Sequence, residues 1–116
     1  MDMPLNQTLV AARALIADPN HWTTGICARD EDGIPESHTA KEAVCWCAMG
    51  AIFKAIRETD PEGTRGPLEN ACFTALDDAV LELWPEDPSN IVSVNDKRGH
   101  ADVLKAFDRA IENCPR

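Results

Sequence analysis

Cys45-Trp46-Cys47 lies inside the apolar run that fills most of EAVCWCAMGAIF, Glu42 to Phe53. Two thiols around an indole raise the prospect of nucleophilic or metal chemistry. A cysteine nucleophile needs a base and a group that orients it. Asn95, Asp96 and His100 follow downstream, an order from which a Cys-His-Asn or Cys-His-Asp set can be built. The enzyme reading therefore names Cys45 or Cys47 with His100 and Asn95 or Asp96. A metal reading would join one of these thiols to His38 or Cys72. Zinc asks for about four convergent ligands, and no spacing here supplies a recognisable pair.

Helical geometry argues for packing instead. Two residues apart on an α-helix means about 200° of rotation, so Cys45 and Cys47 would face nearly opposite sides. A free cysteine also behaves as a small buried hydrophobe. The expectation is a core role for both thiols, with no cofactor and no metal.

The elements that must position these residues are mostly helical by periodicity. Leu5, Leu9, Ala12 and Ile16 define a first helix over 5–17, ended by Asp18-Pro19. Residues 21–35 lack a helical period, and the turn dipeptide Asp32-Gly33 suggests a loop or small hairpin there. Thr39-Ala-Lys-Glu42 matches a capping box, which starts a second helix running to about Glu58. That helix is apolar on every side from Ala43 to Phe53, so it should be central. Gly50 costs about 1 kcal/mol relative to alanine there, and close approach of a neighbouring helix would compensate. Gly66-Pro67 opens a third helix, carrying Leu68, Cys72, Leu76, Ala79, Val80 and Leu83. Ile91-Val92-Ser93-Val94 reads as a short strand pairing with the 23–35 region. A fourth helix follows over 101–113. The expected fold is mainly α: a compact four-helix domain with a small β-hairpin or irregular β element, α+β being the alternative.

Bulk properties narrow the function classes. A chain of 116 residues with 44% hydrophobic and 27% charged residues suits one soluble domain. A net charge of −9 argues against direct nucleic-acid binding. The odd count of five cysteines, with no C-x-x-C pair, and the absence of a signal-like or membrane-spanning run suggest a reduced cytoplasmic protein. Charge is uneven. Arg65 is the only base in 61–90, against Glu62, Glu69, Asp77, Asp78, Glu82, Glu86 and Asp87.

Trp22, Ala28-Arg29-Asp30 and Gly33, then Cys45-Trp46-Cys47-x-x-Gly50-Ala51, then Asn95-Asp96, together resemble a family of small bacterial and phage proteins known only as a domain of unknown function. The resemblance spans about Leu5 to Ile111, and the C-W-C-x-x-G-A element is its most specific part. It implies a bacterial or phage origin and no particular reaction.

The leading functional expectation is a non-catalytic interaction or regulatory protein with a protein partner. Two surfaces qualify. One is the acidic end of the third helix, with Asp77, Asp78, Glu82, Glu86 and Asp87, which would suit a basic partner. The other is the corner formed by Asn95, Asp96, Lys97, Arg98 and His100. The alternative is the small cysteine-dependent enzyme described above.

Overall fold

The computed structural model describes residues 3–37, 40–59, 65–87 and 89–114. Helix α1 (Met3–Ile16) is followed by a single 3₁₀ turn at Pro19–His21. Asp18 starts that turn, its carboxylate accepting the Asn20 amide at 2.8 Å. Three two-residue strands come next: β1 (Ala28–Arg29), β2 (Pro35–Glu36) and β3 (Cys45–Trp46). Then come α2 (Ala48–Thr59), α3 (Arg65–Leu83), the single turn α4 (Ile91–Ser93), a π-helical turn at Val94–Arg98, and α5 (His100–Asn113).

The strands form one antiparallel sheet in the order β2-β1-β3. Ala28 stands opposite Glu36 on one side and opposite Trp46 on the other. The hairpin expected around Asp32-Gly33 is present. Asp30 organises it, its Oδ1 accepting the amides of Asp32 and Ile34, both at 2.9 Å. Arg29 then staples the hairpin to the preceding loop, donating to Thr23 Oγ1, Thr24 O and Gly33 O.

Helix α1 packs on α2 and α5, and α3 packs on α5 and α2. Leu9, Ile16, Ile52, Ile56, Leu76, Val80 and Phe107 fill the space between them with no exposure. Cys72 lies among them, equally closed off, and burial pushes its thiol up to about 12. A thiol that ionises far less readily folded than unfolded stabilises the fold only while protonated. That contribution is complete below pH 9 and is lost as the pH climbs toward 12. The fold should therefore lose stability steadily as the pH rises above 9. Urea unfolding of wild type and Cys72→Ala at pH 8 and 10.5 checks this: the gap between them should narrow at the higher pH.

Two elements differ from the sequence expectation, and both differences bear on the site. Residues 45–46 are a strand, and the helix begins at Ala48 rather than at 39. The Thr39 hydroxyl and His38 lie outside the described residues. Trp46, only 9% exposed, is held in the sheet opposite Ala28, and that pairing outcompetes helix formation in a segment whose apolar run suits either. The second difference is the 91–94 segment, which is helical and pairs with no strand. Asn90 caps it by accepting the Ser93 amide at 2.9 Å, and Asp77 accepts the Ile91 amide at 2.9 Å. Those two caps outweigh the β preference of Ile91, Val92 and Val94. The described residues therefore hold five α-helices, one more than expected.

Candidate functional site

Asn95 joins three separate parts of the chain. It sits in the π turn and is 2% exposed. Its Oδ1 accepts the Trp22 indole N–H at 2.8 Å and the Ala48 amide at 2.9 Å. Its Nδ2 donates to the Thr23 carbonyl at 3.1 Å and to Asp96 Oδ1 at 3.1 Å. Asp96 Oδ1 in turn accepts the Gly25 amide at 3.1 Å. Both acceptor sites and both donors of the amide are thus engaged. The Ala48 amide is one of the donors that open a helix and have no partner within it. Asn95 caps α2 from a distant part of the chain.

The turn that carries Asn95 is closed by the Gly99 amide donating to Val94 O at 3.2 Å. Gly99 has φ +105°, a conformation that side chains disfavour, and it lets α5 start in a new direction.

Cys47 occupies the residue just before α2. Its Sγ accepts the Gly50 amide at 3.3 Å, so the thiol serves as a helix cap. Its own amide donates to Cys27 O at 3.1 Å, extending the β1–β3 ladder by one step. Burial pushes the thiol up to about 11; the Gly50 amide pulls it down, and the neighbouring Cys27 adds to the rise. At neutral pH it is overwhelmingly protonated and a weak nucleophile.

Gly50 packs directly on the backbone of Cys27. A Cβ there would overlap the Cys27 carbonyl oxygen and lie 2.9 Å from its carbonyl carbon. The close approach expected for this glycine is real, but its partner is a sheet strand rather than a helix.

These contacts enclose a pocket of about 250 Å³. Gly25, Ile26 and Cys27 form one wall, Cys47 and Met49 the second, and Val92, Asn95 and Asp96 the third. Ile26 and Val92 keep 37% and 43% of their surface exposed, which leaves apolar side chains at the mouth.

Of the residues singled out from sequence, Cys47, Asn95 and Asp96 come together here. Cys45 and Cys47 are not on a helix, so the opposite-face argument does not apply to them. The Cys45 sulfur lies 3.8 Å from the Arg29 carbonyl. His100 is placed elsewhere. Its Nε2 donates to Ile16 O at 2.6 Å, and its ring lies 5.3 Å from that of Trp22. Lys97 and Arg98 are exposed on the turn. The Arg98 guanidinium lies over Trp84 at 4.2 Å and pairs with Asp87 and Asp102. On the acidic helix, Glu82 is held by Arg109 and Asn113, and Asp77 caps α4. Asp78 and Glu86 are exposed. Among the described residues, no group of three or more His, Cys, Asp and Glu side chains could hold a metal ion. No helix among them is long and apolar enough to cross a membrane.

Sequence reading missed Gly25, Ile26, Cys27, Met49 and Val92 as parts of this site. From sequence, Val92 reads as part of a strand, Met49 as a helix interior, and 25–27 as part of a loop or small hairpin.

The fold and corner define a class: a small, mainly helical domain with a three-stranded antiparallel sheet against one helix start, and an asparagine-knotted apolar pocket between them. The chain belongs to the family of unknown function DUF6197, which it matches over residues 1–113. No curated protein and no solved structure matches it.

Proposed function

We propose that this is a non-catalytic binding protein, working in the cytoplasm of a bacterium or encoded by a phage. In this reading it engages a protein partner at the Asn95–Asp96 corner. The observation that carries the reading is the apolar pocket with Ile26 and Val92 exposed at its mouth. Its volume of about 250 Å³ falls below the roughly 300–1,000 Å³ typical of small-molecule sites. It suits one or two inserted side chains. Asp96 is exposed beside it and favours a partner segment that pairs an apolar anchor with a base.

Catalysis is less well supported. Of the two pocket thiols, Cys47 is held protonated by burial, the His100 ring is committed to a backbone carbonyl away from both, and the Asn95 amide is fully used within the fold. The acidic helix is also a weaker docking surface, because Asp77, Glu82 and Asp87 are engaged within the molecule.

Selection of binders from a displayed random-peptide library tests the reading. Peptides that bind wild type should lose about tenfold or more in affinity for Val92→Asp, close to 1.4 kcal/mol. They should bind the Asp78→Lys/Glu82→Lys variant as before, and binding should weaken with salt. Peptides that ignore Val92→Asp but fail on the charge-reversed helix would move the site to α3.

A further inference from the structure

The geometry points to Cys27 and Cys47 as a closable thiol pair, a site at which oxidation joins β1 to β3 through an intramolecular disulfide. This goes beyond the binding role and does not depend on what the pocket holds.

Three observations support the pair. The Cys47 amide donates to Cys27 O, and the ladder register sets Ala28 opposite Trp46, so Cys27 and Cys47 are the next opposed residues. Directly opposed residues of an antiparallel pair project from the same face, with Cα atoms about 4.5–5.5 Å apart. That separation lies inside the roughly 4.4–6.8 Å range of disulfides. Both residues line one pocket and both are only half-buried, so an oxidant reaches them without unfolding. The remaining thiols are placed differently. Cys72 and Cys114 are buried in the helical core, and Cys45 precedes Cys47 on its own strand rather than opposing Cys27.

The reaction balances with a low-molecular-weight disulfide as oxidant. The Cys27 thiolate attacks one of its sulfurs and breaks the S–S bond. A mixed disulfide forms on Cys27, and one small thiol leaves with a proton. The Cys47 thiolate then attacks the Cys27 sulfur and expels the second small thiol. Two protein thiols lose two protons and an electron pair, and the small disulfide takes up all of them. Closure withdraws the Cys47 sulfur from the Gly50 amide and alters the pocket wall. The second step is slow at neutral pH, where Cys47 is protonated, and quickens with rising pH.

The test incubates the folded wild-type protein with oxidised glutathione at pH 8.5, then quenches with acid. Cleavage after Arg13, Arg29, Lys41 and Lys54 separates residues 14–29, which carry Cys27, from 42–54, which carry Cys45 and Cys47. The expected product lacks two hydrogens and joins these two peptides. The link should persist in Cys45→Ser. Cys47→Ser should stall as a glutathione adduct on Cys27. Glutathione adducts that accumulate on wild type without closure, a link that runs to Cys45, or a link that forms only in denaturant would each overturn the proposal.

Discussion

Gly50→Ala should cost at least about 3 kcal/mol of stability, or prevent folding altogether, at a helix position where alanine ordinarily gains about 1 kcal/mol. The sign reverses because the new methyl group has nowhere to go. Its neighbours are the carbonyl oxygen and carbon of Cys27, which are backbone atoms fixed in the sheet. Either α2 slides away from β1, which breaks the Cys47–Cys27 bond, or the strand itself moves. Gly66→Ala is the internal comparison. Gly66 also lies in a helix, and its added methyl would meet nothing within 4 Å. Pro67 follows it, and a Cβ before proline disfavours helical geometry, so alanine there should cost something, but far less than at Gly50. Denaturant midpoints for the two variants decide the matter: equal shifts would mean that the approach of α2 to the sheet is looser than described.

Asn95→Ala should be nearly as damaging, at about 2–4 kcal/mol. The substitution leaves the Trp22 indole N–H, the Ala48 amide and the Thr23 carbonyl without their partner. A buried polar group left unsatisfied costs about 1–3 kcal/mol. Water entering from the adjoining pocket offsets part of the sum. Asn95→Asp separates the two halves of the amide. It keeps the acceptor for Trp22 and Ala48, but it removes the donor to Thr23 and sets a second carboxylate against Asp96. Two carboxylates so close raise the folded-state pKa of the pair. The variant's deficit should therefore be largest at neutral pH and shrink as the pH falls and one proton is taken up. Urea titrations at pH 7 and 5, with the Trp22 indole resonance as a local reporter, give both readings.

The helices α1, α3 and α5 were legible in the sequence because each carries one apolar stripe and a clear terminator or start. The turn at Asp32-Gly33 was legible for an equally local reason. The start of α2 was not. From Ala43 to Phe53 almost every side chain is apolar, so period-two and period-3.6 patterns cannot be told apart. The decisive interaction, Trp46 opposite Ala28, is a pairing across the loop between them. Ile91-Val92-Ser93-Val94 misled through composition, since the caps that make it helical come from Asn90 next door and from Asp77 on another helix. The candidate site shows the same division. Asn95-Asp96 stood out as polar residues before a helix. Yet the partners that give Asn95 its role, Trp22 and Ala48, are 73 and 47 residues away. The membership of Gly25, Ile26, Cys27, Met49 and Val92 depends on those long-range bonds and leaves no local trace.

Everything proposed for the corner requires that it be open while the helical core is shut. Site-resolved alkylation of the native protein tests this most directly. With a small reagent at pH 8.5, Cys27 should label in the folded state and Cys47 more slowly, because burial holds its thiol protonated, while Cys72 and Cys114 should label only once denaturant is added. If all four stay silent until unfolding, or if Cys72 labels as readily as Cys47, the pocket is not the accessible feature described and the binding reading fails with it.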